Sequence, residues 1–388
     1  MVVAFPTELS LLTPEWLTGA LRESGELVEG RVVEAEVTPM AEGHGFLGSL
    51  ARVRLHYDGE SSGGPSSVVA KVATDDESAR EMAGKFGLYA HEIRFYTEIA
   101  PADAVELAAC YFADIDEESG AFLLLLEDLS DDRMGDQVVG ADLADARAVL
   151  ASLARFHARF WNAEARPELE WLQRSPELLV SVADDYVAAL PAFEQAYGTS
   201  RPKAVAIAKQ LGAIIHEVTG QELLPPLTIT HGDLRLDNIF FSDDGQARII
   251  DWQVIAVDRG GLDVARLMAE SVPIDVRRAH EDELLRFYLE QLREHGVSDL
   301  SLRRLRSDYR EGMVQQLVLS VIANSGIDFA SERGDELIEA MLGRLEAALI
   351  DLRVPRLLRV GGWIFRVRRV GLGIVRVLRW PFARLRRP

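Results

Sequence analysis

The sequence predicts an α+β protein in two lobes, a strand-rich first third joined to a helical remainder. Three patterns carry that expectation. Between Val32 and Ala73, apolar and polar residues alternate with the period of two that half-buried strands show. After Asp142, apolar residues recur at three- and four-residue steps, the period of helices with one buried face. Between Leu227 and Asp251 the chain returns to short strand-like runs, which sets a small β insert into the helical part. Two such lobes leave a cleft between them as the natural place for a ligand.

Taken in order, Thr13-Pro14-Glu15-Trp16 reads as a helix start, with Thr as N-cap and Pro at the first helical position. The runs "RVVEAEVTPM" and "LARVRLHYDG" alternate as antiparallel strands, and "SSGGPSS" (Ser61–Ser67) is a flexible turn before the apolar strand "VVAKVA". One helix should follow, with Met82, Phe86, Tyr89, Ile93, Tyr96 and Ile99 along a single face. "AFLLLLEDL" reads as a buried strand that runs out into a polar connector. Leu143, Ala146, Leu150, Leu153, His157 and Phe160 share one face of a long helix, where His157 is expected to pack rather than ligate. In the insert, "LTIT", "NIFF" and "ARII" are the strands, and the turn "SDDGQ" joins the last two. These assignments divide the chain into an N-lobe at 1–128, a C-lobe at 129–352 and a tail at 353–388.

Composition narrows the function. With 388 residues and 48% hydrophobic residues, the chain can bury a large core. A single cysteine, Cys110, excludes an internal disulfide and a thiolate-rich metal site, and suits a reducing compartment such as the cytoplasm. The start "MVVAFPTELSLLTPEW" lacks the basic and apolar regions of a signal peptide, and a membrane-spanning run is not expected. The formal charge is −20, yet eleven Arg and no acid lie from Arg353 onward, which leaves about −31 on the body before it. A body so acidic is a poor nucleic-acid surface, because phosphate contacts need clustered Lys and Arg.

Polar residues gather most densely in "THGDLRLDNIFF" (Thr230–Phe241), which reads either as a surface turn or as a site. Four other features bear on that choice. Gly43, Gly45 and Gly48 lie between two expected strands, where glycines let backbone amides approach phosphate oxygens; a glycine-rich hairpin turn is the plain alternative. The strand that follows the loop argues against a dinucleotide fold, in which a helix should come next. Lys71 stands inside an apolar strand, where an ammonium group needs an anion. Glu92 falls on the apolar face of the next helix, between Tyr89 and Tyr96, and needs a cation. Each accounts for the other. Finally, Asp251 ends the strand "ARII", so a hairpin would set it beside Asn238, offering two oxygen ligands of the kind that hold Mg²⁺ on phosphates. Asp233 lies five residues before Asn238, free to accept a proton from an attacking hydroxyl.

In this order and spacing, Gly43-x-Gly45-x-x-Gly48, Lys71, Glu92, Asp233-x4-Asn238 and Asp251 resemble the protein-kinase-like superfamily. "HGD" and "DWQ" look like its aminoglycoside phosphotransferase and choline kinase branch. "EIRFYTEIAP", "LLLLEDLS", "LARFHARFW", "HGDLRLDNIFF" and "IIDWQ" are most similar to the ecdysteroid kinase-like phosphotransferases. "HGDLRLDN" is similar also to phosphotransferase domains fused to acyl-CoA dehydrogenases. The resemblance covers roughly residues 10–350.

It implies a bilobal kinase-like fold and a kinase that uses ATP and Mg²⁺ to phosphorylate a small-molecule hydroxyl. Gly43, Gly45, Gly48 and Ser49 would cradle the phosphates, Lys71 would hold them, and Glu92 would fix its ammonium. Glu127 and Leu129 would offer backbone groups to adenine, Asp233 would be the catalytic base, and Asn238 and Asp251 would bind the metal. Asp263 resembles the aspartate that braces the catalytic loop, and His231 would orient that loop through backbone bonds. Arg235 and Asp237 read as loop-bracing residues, and Arg235 could instead touch an anionic substrate. The chain lacks an "APE" signature and an activation segment, which counts against a protein substrate.

Two other functions stay open: a nucleotide-binding pseudokinase acting as a tail-anchored scaffold, and a kinase of aminoglycoside resistance. Every catalytic position carries the expected residue type, which favours activity. In the tail, Arg recurs near helical spacing among Val, Leu, Ile, Phe and Trp. Such a segment can lie on an anionic bilayer, here as a peripheral contact at the inner membrane surface, or fold back onto the acidic body.

Overall fold

A computed structural model describes residues 5–40, 48–58, 63–100, 107–219, 223–326 and 332–359. Helix α1 (Pro14–Glu23) begins as its sequence directs, with the Thr13 hydroxyl accepting from the Trp16 amide. Strands β1 (Val32–Pro39), β2 (Gly48–Tyr57) and β3 (Ser67–Ala73) follow, then helices α2 (Glu77–Phe86) and α3 (Leu88–Arg94), then β4 (Cys110–Ile115) and β5 (Phe122–Glu127). These five strands form one antiparallel sheet in the order β1-β2-β3-β5-β4.

Strand β5 is apolar at nearly every position because the sheet is covered on both faces. Leu123 and Leu125 pack with Leu17 and Leu21 of α1, while Phe122, Leu124 and Leu126 pack with Tyr89 and Ile93 of α3. On β3, Val68, Ala70 and Val72 join the α1 side, so alternation turns Lys71 toward α3.

The single helix expected over Met82–Ile99 is broken. Gly87 ends α2 with φ 66°, a left-handed conformation that glycine adopts without steric cost, and Met82 is left exposed. After α3 the backbone widens into a π turn at Phe95–Ile99, which brings Phe95 and Tyr96 both to the interior.

The rest is mainly helical. Two-residue strand β6 (Arg133–Met134) precedes α4 (Leu143–Arg159), whose N-cap Asp142 accepts from the Asp145 amide. Helices α5 (Pro176–Tyr197), α6 (Pro202–Gly212) and α7 (Ile215–Thr219) lead to β7 (Thr228–Thr230), β8 (Ile239–Phe241), β9 (Ala247–Ile249) and β10 (Ala256–Asp258). The hairpin β8–β9 forms as expected, with β6 added at its edge, and β7 pairs with β10. Helices α8 (Gly261–Arg266), α9 (Ile274–Glu294), α10 (Leu302–Gly326) and α11 (Glu332–Asp351) complete the chain. The larger core runs from α3 through α4 to α11, so it underlies both the sheet and the hairpin insert.

The fold is the expected α+β one, an antiparallel sheet followed by a mostly helical remainder with a small β insert. Of the tail, Val354 and Leu358 are buried in that core, and Gln210 Nε2 donates to the Pro355 carbonyl at 2.9 Å. Residues 360–388, and with them most of the arginines, lie outside the described residues. Among the described residues no helix is long and apolar enough to cross a membrane.

Candidate active site

Lys71 sits between Leu50 of β2 and Leu124 of β5 and is 7% exposed. A buried ammonium is costly unless anions meet it, and two do. Its Nζ lies 2.8 Å from Glu92 Oε2 and 2.9 Å from Asp251 Oδ1. Burial would lower the Lys71 pKa, but Asp251 and then Glu92 outweigh it and raise the pKa above its ordinary value. Glu92, on α3, is itself buried and accepts a further bond from Gln253 Nε2 at 3.0 Å. Gly48 passes directly over this lysine. A Cβ there would lie 3.1 Å from the Val72 carbonyl oxygen and 3.3 Å from Lys71 Cε. Ser49 pairs with Val72 in the same register, whereas Gly43 and Gly45 lie outside the described residues.

The second half of the site is the loop after β7. Asp263 of α8 accepts from the His231 amide at 2.6 Å and the Gly232 amide at 2.9 Å. Gly232 has φ 82°, and a Cβ would come within 2.5 Å of the Val254 carbonyl oxygen, so this turn requires glycine. His231 Nε2 donates to the Ile250 carbonyl at 2.9 Å, while its Nδ1 accepts from the Asp233 amide at 3.2 Å. Those two bonds select the neutral ring with its proton on Nε2. His157 packs as expected, fully buried, and also works as a brace: its Nε2 meets Asp263 Oδ2 at 3.2 Å and its Nδ1 meets the Tyr288 hydroxyl at 2.7 Å.

The loop presents Asp233 among cations. Its Oδ1 accepts from Arg266 Nη2 at 2.6 Å, and its Oδ2 from Asn238 Nδ2 at 3.2 Å and Arg235 Nε at 3.3 Å. Burial raises the Asp233 pKa, but Arg235 and then Arg266 outweigh it and hold the carboxyl at about 2. Because the folded value is depressed, the stability this charge contributes is present above the ordinary carboxylate range. It is lost as pH falls from there toward 2. Arg235 also lies 3.6 Å from Asp237, which accepts from the Gln137 amide, so both brace the loop.

The hairpin joins the halves. The Asn238 carbonyl accepts from the Ile250 amide at 3.0 Å, in the register that sets Ile239 opposite Ile249. Asn238 Nδ2 donates to the Asp233 backbone carbonyl as well as to its carboxylate, which turns the amide oxygen away from Asp233. Asp251, with φ 66°, leaves β9 next to Ile250 and reaches Lys71. Thus Lys71, Glu92 and Asp251 form one ion cluster, Asp233 and Asn238 a hydrogen-bonded pair, and Ile250 ties the two through His231 and Asn238. Trp252 is fully buried and stacked on Phe95 with ring centroids 4.1 Å apart, which anchors the turn carrying Asp251.

At the lobe junction, the Glu127 amide donates to the Ala109 carbonyl at 2.8 Å, and the Ala109 amide is taken by the Glu127 carboxylate at 2.9 Å. That carboxylate is also gripped by Arg248 of β9 at 2.6 Å, while the Leu129 carbonyl accepts from Asp132. Sequence reasoning missed Arg248, Gln253 and Arg266. The last had a signal: Arg266 and Glu270, four residues apart, are the two charges in the otherwise apolar run "VARLMAE". Among the described residues no cluster of three or more His, Cys, Asp or Glu could hold a metal unaided.

Comparison with known proteins agrees with the fold. The model of the ecdysteroid kinase-like family matches residues 42–299. A choline kinase from Cryptosporidium parvum superposes with a TM-score of 0.52 at 13% identity, over 91% of this chain and 100% of that one. An aminoglycoside-phosphotransferase-like protein of Ralstonia eutropha superposes with a TM-score of 0.51 at 15% identity, over 88% and 98%. At such identity these two show a shared fold. No curated protein matches in sequence. With its family model covering well over half of its length, the chain belongs to the ecdysteroid kinase-like family.

Proposed function

We propose that the protein transfers the γ-phosphoryl group of ATP to a hydroxyl of a small molecule. The observation that carries this is the meeting of Lys71, Glu92 and Asp251 beside the Asp233–Asn238 pair. Phosphoryl transfer asks chiefly for positioning and charge neutralisation. Lys71, held by Glu92, would bind the phosphates beside Gly48 and Ser49. At the junction, the Glu127 carbonyl and Leu129 amide would receive adenine. This is supported by the diversion of the Ala109 amide to the Glu127 carboxylate, which frees the Glu127 carbonyl from that partner.

The donor set fits a divalent cation such as Mg²⁺. Asn238 offers an amide oxygen and Asp251 a carboxylate, both hard ligands, and a set with a single carboxylate suits an ion completed by substrate phosphates and water. Such an ion would neutralise charge on the transferring group. Asp233, already ionised, would orient the acceptor hydroxyl and take its proton. A carboxyl held so low is a weak base, so its proton transfer belongs late, once the hydroxyl oxygen has begun to bond phosphorus.

Residues 131–220 and 272–324 would shape the acceptor pocket. Incubating the protein with ATP, Mg²⁺ and a panel of sterols, sugars, amino alcohols and hydroxyacyl-CoA should add one phosphate to a member of the panel, read by mass. No gain across the panel, with no slow Mg²⁺-dependent ATP hydrolysis, would leave the pseudokinase reading instead.

The Arg-rich segment beyond Arg359 is proposed as a peripheral contact with anionic membrane, supported by its arginines among apolar residues. Because Val354 and Leu358 belong to the core, the truncation that tests it ends at Arg359. The full chain should sediment with anionic vesicles and the truncated chain should not; equal sedimentation would contradict the contact.

A further inference from the structure

We infer that Arg266 is a positioning residue of this site, whose buried guanidinium holds one carboxylate oxygen of Asp233 so that the other faces the acceptor hydroxyl. The inference rests on the proposed role of Asp233. Arg266 ends α8 and is 8% exposed, so its charge is not a surface charge that happens to lie near the loop. Its planar fork is divided between three partners. Nη2 donates to Asp233 Oδ1 at 2.6 Å, and Nη1 meets Gln316 Oε1 of α10 at 2.8 Å and Glu270 Oε2 at 2.7 Å. A rigid fork fixed at one end by Gln316 and Glu270 transmits that fixed geometry to the carboxylate at the other.

The helix around Arg266 is built for this. Directly after it the backbone widens into a π turn, Leu267–Ser271, which carries the fully buried Glu270. A widened turn frees carbonyls from the helical ladder, and here they are taken up from outside. The Glu270 carbonyl accepts from Gln137 Nε2 at 3.0 Å and Arg344 Nη1 at 2.9 Å, and the Ser271 carbonyl accepts from the Ala141 amide. Gln137 Oε1 in turn accepts from the Leu236 amide at 2.7 Å, three residues beyond Asp233. The π turn and the catalytic loop are thus tied at two points: side chain to side chain through Arg266, and through Gln137 to the backbone. The charged groups that bear on this spot, besides Arg266, are Asp233 and Arg235 from the loop, Asp263 from α8 and Glu270 from the π turn; the neutral His231 ring lies beside them. Arg266 is the one cation among them that also binds an element outside the loop.

The consequence is a division of labour between the carboxylate oxygens. Oδ1 is committed to Arg266, whereas Oδ2 has only the longer contacts at 3.2 and 3.3 Å to Asn238 and Arg235. Oδ2 is therefore the oxygen left to the acceptor. The hydrogen bonds and ion pairs of Arg266 go to Asp233, Gln316 and Glu270 and not to Lys71, Glu92 or Asp251, so its removal should spare nucleotide binding.

The test is a double-mutant cycle with the full chain, once a phosphorylated acceptor is in hand. Arg266→Gln should lower kcat by about 100-fold, the scale of loss from a misplaced catalytic group, with the KM for ATP within about twofold of wild type. Arg266→Lys, which keeps the charge but not the fork, should recover part of that loss. In the Asp233→Asn background the same Arg266→Gln change should cost less than about twofold, because a residue acting through Asp233 has nothing left to position. An equal loss in both backgrounds, an unchanged kcat in folded Arg266→Gln, or failure of both single variants to fold would each overturn the inference. A fully active Asp233→Asn would instead sink the reading of Asp233. Inactive Asp233→Asn beside normal Arg266→Gln would sink this inference alone.

Discussion

Asp233→Asn is expected to cut turnover by about 100- to 10,000-fold, the usual contribution of a positioned acid or base, while leaving nucleotide affinity nearly unchanged. Among the described residues the side chains that hydrogen-bond this carboxylate are Arg266, Arg235 and Asn238, none of them a member of the Lys71–Glu92–Asp251 cluster. The fold should tolerate the change because Arg266 keeps Glu270 as its second anion and Asp263 still holds the loop by two backbone amides. Single-turnover rates beside equilibrium nucleotide binding separate the two effects. A variant that binds nucleotide and turns over at the wild-type rate would remove Asp233 from the mechanism.

Lys71→Met should abolish turnover and weaken nucleotide binding together, and it should also destabilise the protein. Breaking one partner of a buried ion pair costs about 3–5 kcal/mol, because the remaining charge is stranded. Glu92 would be left with Gln253 alone. Its carboxyl, freed of lysine, should titrate above its unfolded value. Stability lost at neutral pH is then regained in part as pH falls toward the ordinary carboxylate range. Denaturation midpoints across that range measure the effect. Adding Glu92→Gln to Lys71→Met should restore stability without restoring activity. A double variant as unstable as the single one would show that the ion pair is not what Lys71 contributes to the fold.

The fold class was legible in the sequence, and so was the ion pairing of the candidate site, for a reason of charge. A lysine in an apolar strand and a glutamate on an apolar helix face each demand a partner, and the structure pairs them at 2.8 Å. Asn238 and Asp251 could be set side by side because a short hairpin fixes its own register. Elements without such internal constraint were lost. Strand β10 is three residues long and β6 two, too short to show any period. The break at Gly87 was hidden because Phe86 and Tyr89 keep the helical spacing across it, and only the left-handed glycine marks the end of α2. Arg266 showed a local sign in its spacing to Glu270, but its contact with the loop and that of Gln253 with Glu92 escaped for another reason. Their partners, Asp233 and Glu92, lie 33 and 161 residues away, and no local pattern encodes a contact at that range.

The central claim, that Lys71, Glu92, Asp233, Asn238 and Asp251 form one nucleotide-and-metal pocket, is tested most directly by titrating the protein with a non-hydrolysable ATP analogue, with and without Mg²⁺. Wild type should bind at one saturable site and more tightly with Mg²⁺, and an Asn238→Ala, Asp251→Asn double variant should lose that Mg²⁺ enhancement. No saturable binding by wild type, or an enhancement that survives intact in the double variant, would contradict it.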